Sequence, residues 1–366
     1  MVSNRSATEP GHRVTGARPP LISEAAALSV AGDVVRRHAL GSTLVGTGAD
    51  ATVVVVAAGD RPGDSGVRDS TTVVLRGDPS PDLHPRFMGR VRPPIHVFVR
   101  LEHGCLPLGT ARCRRGASEP ARFTSAELQL EQPLSRALLD AARPVPPPGP
   151  VPSVEWVDHV ATDPIRALES FVLGWFPAGE LTPVGTNDRP DALAAFHRLA
   201  RLRPALHRFP DPVLTEPTRA SGPPGDRLVF AVRDGGGTEW SIPWPPGGAD
   251  PRVWFTDESE TILEEEPLSR FLLQFTLDAA VQTAPYQATT YVMPTAHLDA
   301  LRSTLRPVPL SPFRPTCTAA RFFLAPGLLA QVSGDDDESI VGFGALHRGT
   351  LTPLLAHGFR WSRFDG

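Results

Sequence analysis

The residues that could do chemistry are few and scattered. Asp335-Asp336-Asp337-Glu338 could ligate a hard cation, but it lacks the alternating ligand order and the closing bidentate glutamate of a calcium loop, so it reads as a solvated hairpin turn. His96 and His103 sit on one expected hairpin without a pair of carboxylates around them, and read as ordinary histidines. Gly342-Phe343-Gly344 has the first two glycines of a dinucleotide fingerprint but not the third, and close packing at a strand end explains it. The sequence has no His-Glu-x-x-His, nucleophile elbow or phosphate-binding loop. Cys105, Cys113 and Cys317 have no zinc spacing and leave one thiol over in any disulfide scheme, as in a reducing compartment. No catalytic residue, metal ligand or cofactor is assigned.

Other residues suit binding. Asp257, Glu258, Glu260, Glu264, Glu265 and Glu266 precede an expected helix. The helix dipole favours negative charge there, and the same charge would steer a basic partner. Trp240, Trp244 and Trp254 lie on or beside neighbouring expected strands. Tryptophan is enriched at binding hot spots, and core packing is the other reading. In the first half, Arg86, Arg90, Arg92, Arg100, Arg112, Arg114 and Arg115 gather around expected strands. They are either solvated strand faces or, with Arg112, Arg114 and Arg115 as contacts, an anion or nucleic-acid surface.

Composition bounds these readings. All 36 basic side chains are arginine, and the net charge of −4 argues against a broad basic face. Charged residues at 21% and hydrophobic ones at 41% are ordinary globular usage. A chain of 366 residues exceeds one comfortable core, so two domains are expected. The 41 prolines and 32 glycines favour short elements and long connections. The start carries no apolar run of secretory length and no segment is apolar enough to span a bilayer, which predicts a cytoplasmic protein with no membrane partner.

The elements that must position these residues follow from period and punctuation. Residues 1–20 read as a disordered tail, 21–143 as a β-rich domain of unknown role, 144–152 as a proline-rich linker and 153–366 as an α+β domain. In the first domain a helix is expected from Ser23 to about His38. Strands follow at Thr52–Ala57 and Thr71–Leu75 across the turn Gly59 to Asp64, then at Ile95–Leu101, Leu106–Cys113 and Ala126–Glu131. They predict a small antiparallel barrel or sandwich with flanking helices.

Beyond the linker, helices are expected over Asp163–Phe176, Pro190–Leu202 and Ser269 to about Thr283, with a further one near Leu351 to Ala356. Leu228–Val232 and Glu239–Pro243 flank the hairpin signal Asp234-Gly235-Gly236-Gly237, and Arg252–Thr256 adds a third strand. Short strands are expected at Arg321–Leu324, Leu328–Val332 and Ile340–Ala345. Glu131-Gln132-Pro133-Leu134-Ser135-Arg136 echoes Glu265-Glu266-Pro267-Leu268-Ser269-Arg270. Shared helix-start chemistry accounts for it, with Ser135 and Ser269 as N-caps and Leu134 and Leu268 stapled to Leu139 and Leu273.

The run Asp226-Arg227-Leu228-Val229-Phe230-Ala231-Val232, with Glu239-Trp240-Ser241-Ile242-Pro243, Pro251-Arg252-Val253-Trp254 and Glu266-Pro267-Leu268-Ser269-Arg270-Phe271-Leu272-Leu273-Gln274, resembles the SUKH superfamily. The likeness spans about Val154 to Gly366, with its specific part over Arg227 to Ala284. It implies an antiparallel sheet packed with helices and no enzymatic activity. The expected role is that of an immunity protein neutralising a cognate toxin, often a nuclease, or of a regulatory interaction module. Its partner is then a protein, met through Trp240, Trp244, Trp254 and the acidic stretch. Nucleotide or nucleic-acid binding through the arginine-rich first half is the alternative.

Overall fold

The computed structural model describes residues 20–59, 66–88, 93–119, 122–180, 189–207, 213–222, 225–233, 237–258, 260–293, 295–313, 319–335 and 338–366. The chain divides into two compact units, Met1–Val145 and Pro146–Gly366, and the division falls inside the proline run. Most of the tail and most of the expected turns Gly59 to Asp64 and Asp234 to Gly237 lie outside the described residues, as does Cys317.

In the first unit Ser23 caps α1 (Glu24–Ser29), its Oγ accepting the Ala26 N–H at 3.1 Å. The helix expected to reach His38 stops there. Gly32 turns the chain at φ 121°, and Arg36–Leu40 forms β1 instead. β1 returns through Gly41, at φ 59°, into β2 (Thr43–Thr47), with Leu40 opposite Thr43. A two-residue hairpin loop requires such a left-handed residue, and glycine supplies it. There follow β3 (Thr52–Ala57), β4 (Thr72–Ser80), α2 (His84–Met88), β5 (Ile95–Leu101), β6 (Gly104–Glu119), β7 (Arg122–Leu130) and α3 (Arg136–Ala142). Their sheet order is β1-β2-β3-β5-β6-β7-β4.

The pairing is antiparallel except between β3 and β5, which run parallel with Thr52 opposite Ile95. A parallel pair needs a crossover, and β4 with α2 provides it. β3 and β4, expected as successive partners, therefore lie far apart in the sheet. β4 pairs with β7, its edge comes round toward β1, and the sheet curls into a half-barrel flanked by helices. Both faces of β3 are covered: Val54 and Val56 enter the barrel core with Val45, Val73, Val97 and Leu128, while Val53 and Val55 pack under Ala27 and Leu28 of α1. That is why four consecutive valines are buried without alternation.

The second unit opens with α4 (Pro164–Trp175), capped by Asp163, whose carboxylate accepts the Arg166 N–H at 3.0 Å. α5 (Asp191–Leu202) follows. Then come β8 (Val213–Ala220), β9 (Arg227–Val232), β10 (Glu239–Pro243), β11 (Arg252–Thr256) and β12 (Thr261–Pro267), an antiparallel sheet in the order β12-β11-β10-β9-β8. The central helix α6 (Leu268–Thr283) leads to β13 (Tyr286–Met293), α7 (Thr295–Thr304), β14 (Arg306–Pro307), β15 (Ala320–Ala325), β16 (Leu328–Asp335), β17 (Glu338–Ala345), α8 (Arg348–Leu351) and β18 (Trp361–Phe364). The strands after α6 form a separate sheet in the order β14-β15-β16-β17-β13-β18, so the unit has two antiparallel sheets where one was expected.

Helix α6 lies between them. From Leu268 to Val281 every residue but Arg270 is buried. Phe271 and Phe275 meet Trp240 of the first sheet, with α4 and α5 alongside. At the other sheet the approach is closest over Gly344, where a Cβ would stand 2.8 Å from the Val281 Cα and 2.9 Å from the Ala284 Cβ. The far side of that sheet carries its own core, Tyr286, Leu298, Leu301, Phe343 and Leu351 among it, beneath α7 and α8. Among the described residues no helix is long and apolar enough to cross a membrane.

The echoed helix starts part company. Ser135 caps α3, accepting the Leu138 N–H at 3.3 Å. Ser269 does not cap α6, which begins at Leu268. Its N–H and hydroxyl both donate to Asp250, at 2.8 and 2.7 Å, so a carboxylate from the loop before β11 takes the capping role.

The two glycines of Gly342-Phe343-Gly344 should respond differently to alanine. Gly344→Ala forces backbone contact with α6 and should destabilise the second unit by about 1–3 kcal/mol in urea unfolding. Gly342→Ala, whose Cβ meets nothing nearer than Val281 Cγ1 at 3.5 Å, should stay close to wild type.

Candidate binding surface

Strand period sorts the side chains of the first sheet in the second unit onto two faces. Trp240 and Ile242 of β10, Val253 and Phe255 of β11 and Ile262 of β12 turn toward α6. Ser241, Trp254 and Leu263 turn the other way, in one row: Ser241 is opposite Trp254, and Trp254 opposite Leu263. Trp254 is half-buried and Leu263 is 40% exposed. Beside them the Ser241 and Thr256 hydroxyl oxygens are buried without a hydrogen-bond partner among the described residues. Arg227 and Glu239 form an ion pair at 2.7 Å on the same face.

The three tryptophans therefore have three different roles. Trp240 is fully buried, with ring centroids 5.7 Å from Phe255 and 5.5 Å from Phe275. It is a core residue and cannot touch a partner, which corrects its assignment as a contact. Trp244, joined to Pro245 by a cis peptide bond, is half-buried under the Arg219 guanidinium, 5.0 Å above its ring. Only Trp254 lies in the centre of the outward face.

The acidic stretch is likewise divided. It is the turn after β11 followed by strand β12, which runs directly into α6. Asp257, Glu258 and Glu260 occupy the turn, where the Asp257 carboxylate accepts the Glu260 N–H at 2.8 Å. Glu265 is exposed, whereas Glu264 and Glu266 are buried on the opposite face. Glu266 accepts the Ser311 N–H at 2.7 Å and faces Arg270 at 3.6 Å, so it ties the loop before β15 to α6. Glu264 drops out as a contact residue because alternation turns it inward. Leu263 was missed: the stretch reads as acidic charge ahead of a helix, and no strand is expected over Thr261–Pro267.

In the first unit the arginines are interleaved with carboxylates. Arg112 is exposed, and its Nε bonds Glu131 at 2.9 Å. Arg114 is exposed and stands at a bulge, while the backbone of Arg115 pairs with Glu127, itself bonded to Arg68 at 3.2 Å. Arg100 pairs with Glu24 at 2.7 Å. Arg90 and Arg92 lie outside the described residues. Such alternation favours solvated strand faces over a phosphate groove. Pro93, Pro94, Ile95, Arg112, Cys113 and Glu131 line a shallow cleft of 420 Å³. Burial pushes the Cys105 thiol above its usual pKa, Glu24 adding and Arg100 opposing, so this cysteine is a poor nucleophile. Asp335 pairs with Glu338 across the β16–β17 ladder, and Asp336 and Asp337 lie outside the described residues.

No family model, curated protein or solved structure matches the chain.

Two outcomes follow from this arrangement. Trp240→Ala should cost about 3–5 kcal/mol in unfolding experiments, as aromatic truncations in cores do, whereas Trp254→Ala should cost far less. Glu131 is held below the ordinary carboxylate pKa by hydrogen bonds from Thr110, at 2.6 Å, and Arg112. The stabilisation is present above the unfolded glutamate value of about 4.3 and lost as pH falls through the lower folded value. A carboxyl NMR titration should find the depressed pKa, and Thr110→Val and Arg112→Ala should each raise it.

Proposed function

We propose that the second unit is a non-catalytic, SUKH-like binding module acting in the cytoplasm, whose partner is a protein, most simply a cognate toxin that it neutralises. The observation that carries this reading is the pair Trp254 and Leu263, opposite each other on the sheet face turned away from α6. A half-buried tryptophan beside an exposed leucine offers apolar area of the kind that anchors interfaces. Asp257, Glu258, Glu260 and Glu265 give the rim negative charge, which suits a cationic surface such as that of a nuclease and speeds encounter with it.

Co-expression with a toxin encoded by an adjacent gene tests the proposal. The wild-type chain should restore growth and form a complex with the toxin. Trp254→Ala with Leu263→Ala should abolish both while leaving the unfolding transition nearly unmoved, and Glu258→Arg with Glu265→Arg should slow association. A wild-type chain that neither rescues growth nor binds, or a double alanine variant that rescues fully, overturns it.

A further inference from the structure

The second sheet of the same unit holds a recess of 230 Å³ unrelated to the Trp254 face. Across its strands Gln331, Gly342 and Thr289 stand side by side, with Ser333 and Ile340 the next pair toward the β16–β17 turn. Helix α6 ends over Gly344, one pleat away. Over Gly342 there is room: a Cβ there would have Val281 Cγ1 as its only neighbour within 4 Å, at 3.5 Å. Gly342 is thus the floor of a cup walled by Gln331, Gln282, Thr289 and Ser333, and Ile340, 48% exposed, forms its lip.

The cup has a defined polarity. Asp278 of α6 is buried, and its two oxygens accept from the Gln331 and Gln282 amides at 2.6 and 2.7 Å. A carboxylate accepts only, so it orients both amides with nitrogen toward itself and leaves their carbonyl oxygens for a ligand. The Thr289 and Ser333 hydroxyls add two more acceptors. Gln287 is already engaged: its amide nitrogen donates to the Gln282 carbonyl, and its oxygen accepts from Arg363, whose charge is balanced by Asp365 at 2.9 Å. A set of oriented oxygens with a carboxylate behind them favours a cation that donates several hydrogen bonds.

We infer that this recess binds a cationic nitrogen head, a primary ammonium or a guanidinium, with the attached alkyl chain lying along Ile340. The volume suits such a head and a short stem, and the exposed isoleucine gives the stem an apolar surface. The group belongs either to a small free amine or to a lysine or arginine side chain of another protein.

The test uses the full chain with isoleucine-methyl and glutamine-amide NMR probes. Butylammonium and butylguanidinium are titrated against tetramethylammonium at equal ionic strength, and a short lysine peptide forms a third arm. The donor cations should move the Ile340 methyl and the Gln282 and Gln331 amides saturably, and tetramethylammonium should not. Gly342→Ala, which fills the floor, and Thr289→Val with Ser333→Ala should each weaken binding about tenfold or more without shifting the melting temperature. Tighter binding of the peptide than of butylammonium assigns the head to a protein side chain, and the reverse order assigns it to a free amine. Absence of saturable shifts with any donor cation, equal shifts with tetramethylammonium, or undiminished binding by folded Gly342→Ala overturns the inference.

Discussion

Helix α6 has almost no solvent face, and the second unit is built around that constraint. A helix apolar on one stripe needs one partner layer, but a helix buried all round needs a layer on each side. Here the first sheet supplies one through Trp240 and the second supplies the other through Gly344. Each buried leucine or phenylalanine contributes about 1.5–3 kcal/mol, so the run Phe271, Leu272, Leu273, Phe275 and Leu277 holds both sheets at once. Its polar residues are bonded rather than merely buried. Gln274 donates to the Ser311 carbonyl at 2.6 Å, Thr276 to its own helix and Asp278 accepts from Gln331, so the helix is keyed to the second sheet by direction as well as by volume.

With both inner faces committed to α6, function is left to what faces outward and to the places where the helix ends. The Trp254 row is the first kind of place: β10, β11 and β12 put Trp240 inward and Trp254 outward because they are strands, and the same alternation separates Glu265 from Glu264 and Glu266. The cup over Gly342 is the second kind. Two residues along β17, Gly344 lets the helix backbone touch the sheet. At Gly342 only the Val281 side chain comes within 4 Å, and the missing side chain leaves a space bounded by oriented amides.

The first unit solves a different problem. Its sheet curls into a half-barrel, edge strands β1 and β4 approaching each other, which protects edges that would otherwise be templates for pairing. The parallel step from β3 to β5 makes this possible, since it sends β4 around to the far edge. Its arginines are spread among glutamates rather than gathered into a groove, so their number in the sequence overstates any basic surface.

Local chemistry alone determined much of this: the Asp163 cap and the helix after it, Ser135 as a cap, the extents of β10 and β11, the β5–β6 hairpin and the body of α6. These depend on neighbours within a few residues, where period, caps and turn residues act directly. Beyond that range only tertiary structure decided. Val34 to His38 fit a helix by spacing, but a turn at Gly32 and pairing with β2 made a strand. Thr261 to Pro267 read as part of an acidic stretch before a helix, until β11 offered a ladder that divided its carboxylates between two faces. Which tryptophan is core and which turns outward, which serine caps and which is capped, and which glycine is filled over were all set by partners distant in sequence, because burial and hydrogen bonding depend on what arrives opposite and not on residue type.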